Sequence, residues 1–450
     1  MTTINVKQMI DGATLNKSHF KAFLTCIVSL TFDGYDLVVF GATIPILLAT
    51  WHMSPATAGL IGSYAFAAGI FGAISGGYLG DRWGRKKSIL LSVVIFALGT
   101  LWGGLSNDPF WFGVARTVTG YGLGMTLQNE VALISEYFPA RCSKSATTAL
   151  GTGMQIGGIM SSLTALWLLE AYGWRSLYYL GASIILVLPI LMKYMPEAPF
   201  ALVSKENRPG IKQLLADVRP DVTVPDDAVF EYPQAKHKQG LTQVFSENRT
   251  FSTIMFWLVY FCNMYVIQGT NTWIPKLMLD KGHGMGISLW LFMTMFIGAA
   301  IGSYICGYIA DRIGAKPVVT FQYVCAFVSL LLLSLPMNIY ATFLVIALVG
   351  FGTQGAMNVT HCYISQYFPP QVKSTAMGWG LGLSRFGGMC GPLIGGVLLT
   401  MKATLFQTLL ALGAASLIAA VAIFLVQDKH GYLTHTPDQG ENVAAVGGSN

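Results

Sequence analysis

The sequence runs to 450 residues, of which 53% are hydrophobic and 11% charged, with a formal net charge of +6 and a mean hydropathy of +0.56. Soluble domains carry roughly 25% charged residues, so this composition excludes a soluble enzyme and describes a chain made for lipid. The positive balance does not call for a nucleic-acid partner, because the distribution of basic residues between loops explains it.

Apolar stretches of the roughly 20 residues needed to cross a bilayer follow one another at 21–50, 56–80, 87–106, 109–135, 144–171 and 174–195. After a polar interval they resume at 249–279, 286–310, 317–337, 339–366, 373–400 and 402–427. These twelve are numbered spans 1 to 12. The lead at 1–20 has no apolar core and does not resemble a cleavable signal, so insertion is expected to begin with span 1. Segment 196–248 contains Pro196, Pro199, Pro209, Pro220, Pro225 and Pro233 and is expected to be a linker with a short surface helix at Ile211 to Val218. The polar tail at 428–450 is expected to be disordered.

Basic residues set the orientation. Arg82, Arg85, Lys86 and Lys87 follow span 2, Arg141 and Lys144 follow span 4, Arg312, Lys316 and Lys373 sit in the matching loops further on, and Lys429 follows span 12. The opposite loops hold Arg175, Lys276, Lys281 and Lys402. Both termini are therefore expected on the cytoplasmic side. The seven cysteines are odd in number and scattered, which suggests neither a disulfide framework nor a metal site. No phosphate-binding Gly-Lys-Ser/Thr loop and no His-Glu-x-x-His pattern occurs, which argues against an ATP-driven pump and a metalloenzyme; no cofactor is expected.

An internal repeat organises the chain. Gly77-Tyr78-Leu79-Gly80-Asp81-Arg82-Trp83-Gly84 returns as Gly307-Tyr308-Ile309-Ala310-Asp311-Arg312-Ile313-Gly314, an offset of 230 residues. The same offset relates Gly120-Tyr121-Gly122 to Gly350-Phe351-Gly352, Ser135-Glu136-Tyr137-Phe138-Pro139 to Ser365-Gln366-Tyr367-Phe368-Pro369, and Pro45 to Pro275. The fold class is thus an all-α membrane protein of two parallel six-helix bundles, 21–195 and 249–427, the arrangement of transporters that rock two halves about a central site.

Polar residues inside the spans are the functional candidates, since a carboxylate at mid-bilayer costs on the order of 3 kcal/mol and marks a proton or substrate path by default. Asp33 and Asp36 are spaced for one face of span 1. At the repeat offset, Asn263 and Val266 stand in their places, Thr360 in that of Glu130, and Ile346 in that of Arg116. Span 11 reverses the trend, with Arg385 at the position of Gln155.

The stretch 76–89, GGYLGDRWGRKKSI, and its degenerate copy at 306–319 resemble the loop signature of the major facilitator superfamily. The Asp33-Gly34-Tyr35-Asp36 run, the lead Ile4-Asn5-Val6 with Ile10-Asp11, the span 4 run 115–124 and the span 11 run 378–387 resemble its aromatic acid:proton symporters. That family's span 4 reads Pro-Asn followed by an apolar residue, where this chain has Gln128-Asn129-Glu130. The resemblance implies a multi-pass protein of the bacterial inner (plasma) membrane, and because one chain contains both halves of a pathway, a monomer is the expected functional unit. It would import benzoate or hydroxybenzoates with protons; a nicotinate-like or muconate-like acid, or a transporter-like sensor of aromatic acids, is the alternative.

Roles follow on that basis. Arg385 would bind the substrate carboxylate through a planar two-point match, unless it pairs with an acid across the bundle. Asp33 and Asp36 would couple protons, with Glu130 joining the relay or pairing with Arg116. Arg116, Tyr265, Gln268, Asn271, Trp273, His361 and Trp379 are the remaining candidates for the ring and its surroundings, although aromatics in membrane helices also serve as packing or as interfacial belts. Gly77, Asp81, Arg82, Gly84, Arg85, Asp311 and Arg312 would gate the conformational change, Gly77 by letting helices approach closely and Asp81 by accepting bonds from a helix end or from Arg85.

Overall fold

The structure, a computed structural model, describes residues 3–220, 225, 228–232, 241–246, 248–369 and 372–431. The tail beyond 431, where disorder is expected, lies outside them. All twelve spans are helical: Lys17–Trp51, Pro55–Trp83, Arg85–Leu105, Pro109–Tyr137, Ala140–Tyr172, the pair Arg175–Ala182 and Ile184–Tyr194, Thr250–Asp280, Met285–Ile313, Ala315–Leu332, the pair Ile339–Gly352 and Gln354–Tyr367, Lys373–Thr400, and Leu405–Leu425. Among the described residues ten spans are long and apolar enough to cross a membrane by length and composition alone. Spans 4 and 5 are as long, but Arg116, Gln128, Asn129 and Glu130 interrupt the first and a run of Ser, Thr and Gly dilutes the second.

Local sequence explains where the helices begin and turn. Asn16 accepts from the Ser18 and His19 amides ahead of span 1, Ser54 from Thr57 and Asp108 from Trp111, the last two followed by proline at the first helical position, where its missing N–H is no loss. Spans 2 and 3 meet at Gly84 with φ +99°, and spans 8 and 9 at Gly314 with φ +91°, a conformation that favours glycine. That backbone demand accounts for both glycines in the duplicated loop.

Within each half, helices interlock through glycine notches. A Cβ at Gly76 would stand 2.7 Å from the Met125 Cα, and one at Gly72 would run into the Tyr121 carbonyl; Gly302 meets Phe351 in the same way in the second half. The close approach expected of Gly77 is not made, because a Cβ there would meet nothing within 4 Å. Gly77 faces away from span 4, and its neighbours Gly72 and Gly76 do the packing.

The halves meet along two seams. At the end carrying the 52–54 and 401–404 turns, Ser63 donates to the Met389 carbonyl at 2.6 Å and the Ala56 amide to Thr400 at 2.8 Å, while Gly59 abuts the Pro392 carbonyl and Gly41 that of Asn271. Spans 2 and 11, and spans 1 and 7, therefore close this end. At the other end, marked by Gly84 and Gly314, Cβ atoms on Gly77, Gly378 and Gly382 would meet nothing within 4 Å. Spans 2 and 11 make no close approach of this kind there, and this is the open end.

The lead and linker are more structured than loops. Thr3–Asn5 pairs in parallel with Val229–Glu231, and a short helix, Val6–Asp11, buries Val6 and Ile10 in a cluster with Ile211, Leu214, Leu215 and Val218 of the linker helix Arg208–Val218. Asn16 donates to the Asp217 carbonyl at 2.7 Å, and Arg141 to the Ala13 carbonyl at 2.9 Å. Lead and linker thus form one cap on the first half.

Candidate functional site

On span 1, residues 26, 29, 33 and 36 recur at the three-to-four spacing of one helical face and turn toward span 4. Asp36 is fully buried and doubly engaged: Arg116 Nη1 donates to it at 2.6 Å and Thr100 Oγ1 at 3.2 Å. Arg116 also lies 5.3 Å from the Phe40 ring centroid, an attractive cation–π placement. Asp33, one turn toward the open end, has no hydrogen-bond partner for Oδ1. Glu130 faces Asp33 from span 4 and leaves both its oxygens unpartnered. The Glu130–Arg116 pair considered from the sequence is not made, because Arg116 lies almost four turns away along span 4 and is taken by Asp36.

The second half presents a different surface. Arg385 extends from span 11 across the seam, and a Cβ on Gly69 of span 2 would stand 2.7 Å from its Nη1. Among the described residues Arg385 has neither a carboxylate nor a hydrogen-bond partner, so the pairing with an acid across the bundle does not occur. One turn further, Phe66 of the first half and Met264 of the second converge on Gly388, at 3.0 and 3.3 Å from a Cβ built there. Gln268 contacts Met264 Sδ at 3.9 Å, and Gln354 donates to Asn271 at 2.9 Å. Across the other seam, Gln155 of span 5 and Asn358 of span 10 both donate to Ser303 Oγ, at 3.2 and 2.9 Å.

The structure therefore brings Arg385 and Asn271 to the meeting of the halves, keeps Gln268 beside Met264 of its own span, and distributes the other substrate candidates elsewhere. Arg116 is committed to Asp36. Tyr265 reaches the Ala411 carbonyl of span 12 at 3.3 Å, and Trp273 is fully buried with its indole N–H on the Pro392 carbonyl at 2.9 Å, so both pack span 7 against its own half. His361 bonds the Tyr260 hydroxyl at 2.7 Å, also within the second half. Trp379 is 55% exposed and stacks on Trp257 near the open end. Phe66, Met264, Ser303, Gln354 and Asn358 escaped the sequence reading; Gln155 was visible in it as the repeat counterpart of Arg385.

Residues 26–293 and 256–447 each match the sequence pattern of the Major Facilitator Superfamily. The chain is a member of that superfamily. It is 33% identical to the benzoate transport protein of Acinetobacter baylyi over 95% of its own length and 94% of the relative's. To the gallate transporter of Pseudomonas putida it is 30% identical, over 96% and 97%. The xylose transporter XylE of E. coli, in a partially occluded inward open conformation, superposes with a TM-score of 0.72 at 16% identity, covering 91% of this chain and 98% of that one. Within the superfamily the chain falls among the aromatic acid transporters, and like them it is a multi-pass transporter of the inner membrane, not an enzyme.

The two signature loops of this superfamily member differ in engagement. In the first, Arg85 reaches Asp81 at 2.7 Å, Glu136 at 3.4 Å and Asn129 at 3.4 Å, while Arg82 donates to Tyr78 at 2.9 Å. Glu197 of the linker accepts the Lys86 amide at 3.1 Å, so this linker acid, which the sequence reading overlooked, takes the helix-end role expected of Asp81. In the second loop Arg312 turns back onto Tyr308 of its own helix, with its guanidinium 4.4 Å from that ring. Asp311 is exposed and makes no ion pair among the described residues.

Proposed function

We infer that this transporter carries aromatic carboxylic acids of the benzoate or hydroxybenzoate type into the cell together with protons, by alternating access. The observation that carries the reading is the unpaired Arg385 guanidinium at the seam between the halves. A half-buried cation without a partner seeks an anion, and a planar carboxylate is the partner whose geometry matches it. Phe66 and Met264, one turn away, offer the ring an aromatic face and a polarisable thioether. Relatives named for an unsubstituted and a polyhydroxylated ring acid support the substrate class.

With the basic loops in the cytoplasm, the end where spans 2 and 11 part faces inward and the seams at Ser63 and Gly41 close the outside. Substrate bound at Arg385 touches span 11 of one half and lies against span 2 of the other, so its arrival bears on the seam that must rearrange. Asp33, lacking a partner for Oδ1, is the carboxyl placed to take the coupling proton. Asp36 holds Arg116 and keeps the first half's core neutral.

Uptake of radiolabelled benzoate into proteoliposomes under an imposed inward proton gradient tests the reading. Accumulation that collapses with the gradient, and that hydroxybenzoates compete away better than nicotinate or muconate, is expected. Binding of benzoate without accumulation would replace transport by sensing, and no binding of any ring acid would sink the substrate class.

A further inference from the structure

Glu130 of span 4 has no role in the mechanism so far. Glu130 is fully buried at the span 1–span 4 interface, and neither carboxyl oxygen has a hydrogen-bond partner. Facing it from span 1 are the Asp33 carboxyl, the Cys26 thiol and the buried Ser29 hydroxyl. Spans 2, 3, 5 and 6 bring no charged side chain against it among the described residues. The cations of spans 3 and 4 that pair with acids are committed elsewhere, Arg116 to Asp36 and Arg85 to Asp81 and Glu136.

Two buried carboxylates facing each other without a cation between them cannot both keep their charge. A proton is the partner left to each, and Asp33 Oδ1 is the group a carboxylic acid at Glu130 would bond, with the Ser29 hydroxyl beside the same carboxyl. Glu130 also stands seven residues from Tyr137 at the open-end terminus of span 4, so a proton leaving it has a short way to water.

We propose that Glu130 binds a second coupling proton, beside the one held by Asp33, so that each aromatic carboxylate enters with two protons. The inference rests on the proton-coupled reading above and fixes its stoichiometry. In the outward-facing state one proton adds to the Glu130 carboxylate and one to that of Asp33; the acid anion binds at Arg385; after reorientation both protons and the anion pass to the cytoplasm. An anion moving with two protons transfers one net positive charge per cycle, whereas one proton would make the cycle electrically silent.

The test is accumulation of labelled benzoate in proteoliposomes of the wild-type chain, with the pH gradient and the membrane potential clamped independently. An elementary charge crossing 100 mV is worth about 2.3 kcal/mol, so an inside-negative potential of that size should raise limiting accumulation about 50-fold at fixed pH gradient. Glu130→Gln should lose that dependence, and Glu130→Asp should restore part of it. Potential-independent accumulation by the wild type overturns the second proton while leaving symport standing. Potential dependence that persists in Glu130→Gln removes Glu130 from the role. Absence of any gradient-driven accumulation would fail the proposed function itself. If Glu130→Gln does not insert, the wild-type measurement alone decides the proton number, and an infrared carboxylic-acid band that shifts in Glu130→Asp decides the residue.

Discussion

The two halves share a scaffold and differ in where they keep charge. Turn glycines at Gly84 and Gly314, notches at Gly72 and Gly302, and prolines at Pro45 and Pro275 recur at one offset. The first half buries Asp33, Asp36, Arg116 and Glu130 in its core, while the corresponding interior of the second is neutral, with Asn263 and Thr360 bonded to a backbone carbonyl and a tyrosine. The second half instead sends Arg385 out to the seam. Backbone geometry is what a duplicated helical bundle must retain, and buried charge is where its copies are free to specialise.

The largest effect should come from unbalancing the charged core. Asp36→Asn strands the Arg116 guanidinium away from water and should cost about 3–5 kcal/mol of stability, read by thermal or denaturant unfolding in detergent, and it should abolish uptake. Adding Arg116→Met should recover much of the stability and none of the transport; a double variant less stable than Asp36→Asn would break the idea that the two act as a pair.

Arg385→Ala should behave in the opposite manner. With no internal partner to strand, stability should change by no more than about 0.5 kcal/mol, yet benzoate binding should weaken by about 1.5–3 kcal/mol, roughly 10- to 150-fold, by calorimetry. Equal loss of stability and binding would show that Arg385 is a structural cation like Arg116.

A third contrast lies in the helix notches. Gly80→Ala would drive a Cβ into the Asn129 side chain and should cost about 1–3 kcal/mol, although the second half already carries Ala310 at that position. Gly77→Ala, facing open space, should stay within about 0.5 kcal/mol. The smallest difference concerns the loops: Asp81→Asn, which removes a partly exposed pair with Arg85, should cost at most about 1 kcal/mol yet slow transport, and Asp311→Asn should leave both stability and rate unaltered. Equal slowing by the two would erase the distinction between the loops.

Much of this organisation was legible beforehand. Span number, the repeat and the shared face of Asp33 and Asp36 follow from apolar length and helical spacing, which the chain states locally. What was hidden depends on which side of a helix meets which neighbour. Trp273 and Tyr265, on the Pro275-containing helix of span 7, fit a ligand pocket or a packing seam equally well as sequence; only the Pro392 and Ala411 carbonyls assign them to packing. Gly77 and Gly76 are adjacent, and nothing local says which faces span 4. Three-residue strands at Thr3 and Val229 carry too little periodicity to announce their pairing. Gln155 was within reach, since the repeat aligned it with Arg385 and pseudo-symmetry places it on the opposite seam.

The pairing of Thr3–Asn5 with Val229–Glu231 bears on how the polypeptide can be divided. Because most of the linker belongs physically to the first half, the natural cut lies after Tyr232, and not at Pro196 where the sixth span ends. Two fragments made by opening the chain there should each fold around an intact interior and reassemble in the membrane. A cut at Pro196 would separate the lead from its β partner and remove Glu197 from the start of span 3.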